Sequence, residues 1–288
     1  MRRRKWRDSG REREVDSDVD TISAMADRVR LWMGPEVTVC VVTAGGPYPW
    51  IMVNALGKAF GPIDVILEEP EPHGQFLMRR ARRTGWVSAA GQLVTMLLIR
   101  AGKIAFARRI DRIVAEHELE QKLGEKHRVT RTVSVNSEHF LEEIERLNPE
   151  VVLLVGCRVL RAEILQRMAC PVLNYHAGIT PKYRGMNGGY WALASGDRGN
   201  FGATVHLVDA GIDTGQIIAQ TRGTPDPGDN IMTYAHRLAA LSRDMCIGAV
   251  RAALEGQLVM VPPEGESRQW YHPPIWTYFW IGITRGVW

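Results

Sequence analysis

Residues 151–176 read VVLLVGCRVLRAEILQRMACPVLNYH, and the fold is read outward from them. Val151 to Val155 is a near-continuous apolar run, the pattern of a strand buried on both faces, and Asn148-Pro149 closes the helix that precedes it. Gly156 starts a turn into a helix around Arg161 to Met168, and Val172-Leu-Asn-Tyr-His176 is a second, short strand. This alternation is the pattern of a parallel α/β sheet. Ligands bind at the C-terminal strand edge of such a sheet, and there the second strand delivers the polar side chains Asn174 and His176.

Upstream, Val37 to Val42 is a β-branched run ending in the glycine turn Thr43-Ala-Gly-Gly-Pro47. Helical spacing over 50–60 and a strand at Ile63 to Leu67 complete a β-α-β unit. Residues 75–120 form a helical insertion, with Arg79, Arg80, Arg82 and Arg83 before the apolar stretch Trp86 to Ile99 and Arg100, Lys103, Arg108 and Arg109 after it; two helices are expected. Val129 to Val135 alternates as a strand, Asn136 is placed to cap the next helix, and Phe140, Leu141, Ile144 and Leu147 give that helix an apolar stripe. Downstream, residues 177–189 are a glycine-rich loop leading into a helix at Tyr190 to Ala194. Strands at Ala203 to Val208 and Gln216 to Gln220 flank the loop Asp209 to Gly215, and a helix over 230–254 follows. The expected fold is α/β, a doubly wound and mostly parallel sheet. A basic arm over 1–20 and a short helix around Thr21 to Trp32 precede the strands, the main domain spans 21–261, and residues 262–288 are a C-terminal appendage.

The 288 residues hold 36 Lys and Arg against 32 Asp and Glu, a net charge of +4. The first fourteen residues alone carry seven basic and three acidic side chains, so the rest is neutral and no nucleic-acid partner is expected. Cys40, Cys157, Cys170 and Cys246 show no zinc-ligand spacing and read as buried thiols of a reducing compartment, with no metal. No apolar run follows the N-terminal arginines, and Trp86 to Ile99 is interrupted by Ser88, Gln92 and Thr95. That stretch falls short of the roughly 20 residues that span a bilayer, so a cytoplasmic location is expected. A G-x-G-x-x-G follows none of the predicted strands, which argues against a nicotinamide dehydrogenase.

Asn174 and His176, two apart on a strand, point to one face, where an amide and an imidazole could hold an oxyanion and move a proton. The triplet alone is weak, and a strand-end asparagine beside a satisfied histidine is the competing reading. Fixed intervals add weight: Pro181-x-Tyr183-Arg184-Gly185, Gly188-Gly189, Gly202-x-Thr204-Val-His206 and Asp209-x-Gly211-Ile212-Asp213-x-Gly215.

With these motifs the run from Leu153 to Gln220 resembles the catalytic core of the formyltransferase family, which includes glycinamide ribonucleotide, methionyl-tRNA and sugar-nucleotide N-formyltransferases. The resemblance implies a Rossmann-like fold, 10-formyltetrahydrofolate as donor co-substrate and no metal. It places the catalytic roles on Asn174, His176 and Asp213, and donor contacts on Arg158, Val159 and Leu160 through backbone groups. Tyr183, Arg184 and Gly185 belong to the family's loop beside the active site and are further donor-site candidates. Asp213 would raise the pKa of His176, orient its ring and accept a proton. His206 is assigned to packing, and His73, His117, His127, His139, His236 and His272 to surface or helix positions.

The phrases Tyr175-His-Ala-Gly-Ile-Thr-Pro181 and Gly188-Gly-Tyr-Trp-Ala-Leu193 resemble enzymes that modify amino sugars or other small amines, so the expected acceptor is a small-molecule amine such as an amino sugar nucleotide. The tRNA branch resembles a protein with a further barrel domain, for which the 32 residues after Gly256 are too few. The Thr43 to Pro49 turn departs from the glycine-serine phosphate cradle of the glycinamide ribonucleotide branch. A formyltetrahydrofolate hydrolase and a non-catalytic folate-binding scaffold are the competing classes. A second reading of the aromatic tail Trp276 to Trp288, together with Trp86 to Ile99, is a peripheral membrane contact. The sequence leaves the oligomeric state open.

Overall fold

The computed structural model describes residues 38–288; the arm over 1–20 and the helix expected at Thr21 to Trp32 lie outside them. Five parallel strands form the centre: β1 (Val39–Thr43), β2 (Asp64–Glu68), β3 (Arg128–Thr132), β4 (Val151–Val155) and β5 (Val172–His176). The short β6 (Arg184–Gly185) lies outside this sheet, which β7 (Gly202–Leu207) and β8 (Ile217–Arg222) complete as antiparallel strands in the order β3-β2-β1-β4-β5-β7-β8. Every residue of β1 and β4 is buried, as their unbroken apolar runs require for strands covered on both faces. From β1 the chain winds outward to β2 and β3, then returns to β4 and winds the other way. The reversal leaves a crevice at the C-terminal ends of β1 and β4, where the Ala44 N–H donates to the Gly156 carbonyl at 3.3 Å.

The helix α1 (Pro47–Phe60) starts with proline in its first turn, where the missing N–H costs nothing. The insertion holds three helices where two were expected: α2 (His73–Thr84), α3 (Trp86–Ala105) and α4 (Ala107–Glu116). Gly85, at φ 81°, divides the first two and donates its N–H to the Ala81 carbonyl. The apolar stripe of α5 (Glu138–Leu147) is as read, with Phe140, Leu141 and Ile144 packed on Cys40, Val42 and Ile66. Its cap is Ser137, whose Oγ accepts from the Phe140 N–H at 3.2 Å, and not Asn136. Asn136 bridges to the segment after β4, accepting from the Arg161 N–H at 2.7 Å and donating to the Val159 carbonyl at 3.0 Å.

The helix read over Arg161 to Met168 is one turn, α6 (Ala162–Leu165), and α7 (Gly188–Ala194) begins two residues before its expected start. The long helix α8 (Tyr234–Leu254) starts four residues later than read, because Asn230 Oδ1 accepts from the Met232 and Thr233 N–H groups and turns the chain first. The C-terminal residues return to the body: β9 (Gln269–Trp270) pairs with β6 (Arg184–Gly185), and Trp270 stacks on Trp191 at 4.4 Å between ring centroids. The last helix, α9 (Ile275–Arg285), inserts Tyr278 and Ile281 beside Tyr190 and Met232. Cys40 and Cys246 are buried as read, whereas Cys157 and Cys170 are half-buried; all four thiols are free. His236 lies in α8, as its surface or helix assignment allows, and is buried there; His127 is buried outside any helix, contrary to that assignment, and its Nδ1 accepts from the Ile63 N–H at 3.2 Å.

Candidate active site

The β5 strand alternates its side chains, so Tyr175 turns one way and hydrogen-bonds Ser242 at 2.9 Å, while Asn174 and His176 turn the other way. They face a cavity of about 330 Å³ at the C-terminal edge of β4 and β5. Gly156 allows this cavity its floor, since its φ is 67° and a Cβ there would lie 2.4 Å from the Tyr48 hydroxyl oxygen. Burial pushes the Tyr48 phenol up to about 12, so its hydroxyl stays protonated at the cavity wall.

Asp213 is the centre of the polar cluster. Its φ of 49° is a left-handed conformation that few non-glycine residues adopt, and it aims the carboxylate back under β5. Oδ2 accepts from the Gly185 N–H at 2.8 Å and lies 3.5 Å from His176 Nδ1. Oδ1 accepts from Asn174 Nδ2 at 3.0 Å and lies 3.3 Å from His206 Nε2. Burial by itself would raise this carboxyl; the His176 and His206 rings and the Gly185 amide outweigh it and hold the group well below the ordinary carboxylate range.

The two histidines are fixed differently. His206 Nδ1 donates to the Leu207 carbonyl at 2.9 Å, which leaves Nε2 as an acceptor for Asn174 Nδ2 at 3.0 Å in the neutral ring. His176 Nε2 donates to the Tyr183 carbonyl at 2.6 Å and presents Nδ1 to Asp213. This approach requires a glycine at 178, where a Cβ would lie 2.6 Å from His176 Nε2 and 2.7 Å from the Tyr183 oxygen. Asn174 thus spends both Nδ2 hydrogens inside the cluster. An oxyanion would receive this donor only by drawing it from His206 or Asp213.

The three residues predicted to be catalytic, Asn174, His176 and Asp213, are brought together and all line the cavity. Arg158, Val159 and Leu160 line it as well, although much of their polar capacity is already engaged. The Arg158 N–H donates to Glu68 Oε2 at 2.8 Å, its guanidinium to the Glu69 and Val133 carbonyls, and the Val159 carbonyl accepts from Asn136. Gly185 lines the cavity, whereas Tyr183 and Arg184 stand behind it. The Tyr183 hydroxyl donates to Asp197 Oδ2 at 2.9 Å, and Arg184 Nη1 donates to the Ile212 carbonyl at 2.7 Å. Both therefore position His176 and the Asp213 loop.

Three contributors escaped the sequence reading. His206 sits directly opposite Asn174 in the antiparallel β5–β7 register, a pairing that its place in the Gly202-x-Thr204-Val-His206 motif hinted at. Glu68, buried at the end of β2, joins the β3 and β4 loops; its only signal was an acidic residue closing an apolar strand. Asn187 lines the cavity and donates to His272 Nδ1 at 2.9 Å, and burial holds His272 down to about 4 and hence neutral near pH 7.

An open α/β sheet with a carboxylate, two imidazoles and an amide at one cavity beside its topological switch brings together the groups that a proton-handling group transfer would use. Residues 103–250, just over half of the chain, match the family model described as formyl transferase, and the chain belongs to that family. It is similar to the methionyl-tRNA formyltransferase of Caldanaerobacter subterraneus subsp. tengcongensis, 31% identical over 143 residues, which cover 49% of this chain and 45% of that protein. The methionyl-tRNA formyltransferase of Thermodesulfovibrio yellowstonii is 30% identical over 133 residues, 46% of this chain and 43% of that one. The chain thus spans less than half the length of these curated relatives. In fold it is similar to the N-formyltransferase of Helicobacter canadensis, solved with folinic acid and dTDP-3-aminofucose, at a TM-score of 0.52 and 14% identity over 81% of this chain and 70% of that one. Glycinamide ribonucleotide transformylase 1 of Symbiobacterium toebii gives 0.51 and 21%, covering 83% and 96%.

Proposed function

We propose that this chain transfers the formyl group of 10-formyltetrahydrofolate to the primary amine of a small acceptor, an amino sugar nucleotide being the first choice. The observation that carries the reading is the convergence of Asn174, His176 and Asp213 on one cavity in a member of the formyl transferase family. The acceptor nitrogen attacks the formyl carbon, the carbon's bond to N10 of the folate breaks, and the proton lost by the amine balances the one gained by N10. Negative charge on the formyl oxygen is held by the Asn174 amide, drawn off His206 or Asp213. Asp213, ionised throughout the neutral range, accepts the amine proton directly or keeps His176 Nδ1 oriented for that transfer. The donor lies along the Arg158 to Leu160 side.

A second reading takes methionyl-tRNA as acceptor, and the identity to the two curated methionyl-tRNA formyltransferases supports it. Tetrahydrofolate release, followed with aminodeoxysugar nucleotides, glycinamide ribonucleotide, methionyl-tRNA and no acceptor, separates the readings. Release dependent on an amino sugar nucleotide is expected. Release without acceptor would replace transfer by hydrolysis, and donor binding without release under any condition would leave a scaffold.

A further inference from the structure

The helix α3 (Trp86–Ala105) is built inside out. Its buried face carries Ala89, Gly91, Gln92 and Thr95, two of them polar. Its exposed face runs Val87, Ala90, Val94, Leu97, Ala101 and Ile104, every third or fourth residue and all apolar, with Val87 75% and Ile104 82% exposed. The helix α9 repeats the pattern: Trp276, Phe279, Trp280 and Ile283, at i, i+3, i+4 and i+7, are exposed, Trp280 at 68%. The two helices touch, because the half-exposed Trp276 ring packs over Gly91 on the buried face of α3, where a Cβ would lie 2.6 Å from it. Exposed apolar stripes of this kind on two touching helices mark a surface that is covered in use.

Charge decides what covers it. Residues 73–110 contain eight Arg and Lys and no Asp or Glu, and Arg82, Arg83, Arg100 and Lys103 are exposed within them. Residues 275–288 carry one arginine and no acid. A two-fold contact between copies would set this cationic border against itself. An anionic lipid surface meets it with opposite charge and also accepts tryptophan at its headgroup level.

We propose that α3 and α9 form a peripheral docking face for anionic membranes, with the two apolar stripes in the acyl boundary and the arginines of α2 and α3 at the headgroups. This is independent of the acceptor. The test is flotation of the full chain with vesicles of 30% phosphatidylglycerol in phosphatidylcholine, against pure phosphatidylcholine, for the wild type and Leu97→Glu/Trp280→Glu. Both substituted residues are exposed, and circular dichroism checks the fold of the variant. The expected result is partition at least about tenfold stronger on anionic vesicles, lost in the variant, with tryptophan emission quenched by brominated lipid. A variant that binds as well as the wild type would assign binding to the N-terminal basic residues and overturn the proposal. So would a wild-type dimer that ignores vesicles and that the variant dissociates, which would give the face to a second copy.

Discussion

Two carboxylates, the buried Glu68 and the part-buried Asp213, stand at the same edge of the sheet, each with several donors, and they are built for different ends. Glu68 closes β2 and accepts from permanent donors, the Val135 and Arg158 backbone N–H groups at 2.9 and 2.8 Å and the Arg158 guanidinium at 2.8 Å. Asp213, itself a left-handed loop residue, accepts from the Asn174 amide and the Gly185 N–H and faces the His176 and His206 rings at 3.5 and 3.3 Å. Where every donor is fixed, a carboxylate is a clamp. Where half of its neighbours are imidazoles, the same group can exchange protons with a ligand. The strand-end geometry is common to both, and the partners make the difference.

The sharpest way to break this contrast is Asp213→Asn. Asparagine tolerates the left-handed backbone, so the substitution removes charge and leaves the loop shape. Formyl transfer should fall by a factor on the order of a hundred to ten thousand, with a fold unchanged by circular dichroism. Near wild-type turnover would take Asp213 out of the proposed mechanism. The matching change on the other side, Glu68→Ala, leaves Arg158 without its buried partner and should cost roughly 3–5 kcal/mol in denaturant unfolding. A loss below about 1 kcal/mol would show that the clamp is dispensable.

Acid sharpens the comparison further. The Asp213 carboxyl is held below its ordinary value in the folded chain, so it contributes stability that is complete above the unfolded value near 4 and is lost as pH falls toward the folded one. Between pH 5 and 3, unfolding free energy should therefore drop by about 1 kcal/mol more in the wild type than in Asp213→Asn. Parallel pH profiles would mean that the His176 and His206 contacts do not stabilise the anion.

How far these features could be read in advance follows from sequence separation. Asn174 and His176 share a face because they are two apart on a strand, and Asp213 followed from the family resemblance that its glycine-punctuated motif helps to carry. The strands of the parallel centre were legible because β1 and β4 are unbroken apolar runs. His206 was not, since its role depends on an antiparallel register across 32 residues. The partnership of Arg184 with Gln269 was hidden by a longer gap still, and so Tyr183 to Gly185 read as ligand contacts instead of a support pinned by the C-terminal residues. The cap of α5 was missed for a local reason: Asn136 and Ser137 are adjacent and both good caps, and only the claim of Val159 and Arg161 on Asn136 decides between them.

That last bridge gives the smallest effect and the most selective one. Asn136 accepts from the Arg161 N–H and donates to the Val159 carbonyl, so it fixes the Arg158 to Leu160 segment without lining the cavity itself. Asn136→Ala removes two hydrogen bonds at an exposed position and should cost about 1 kcal/mol of stability. If that segment holds the folate, loosening it raises KM for 10-formyltetrahydrofolate several-fold while kcat stays near wild type, because the Asp213 cluster is untouched. A fall in kcat with KM unchanged would instead tie the segment to the chemical step and blur the division between clamp and proton-handling site on which the comparison rests.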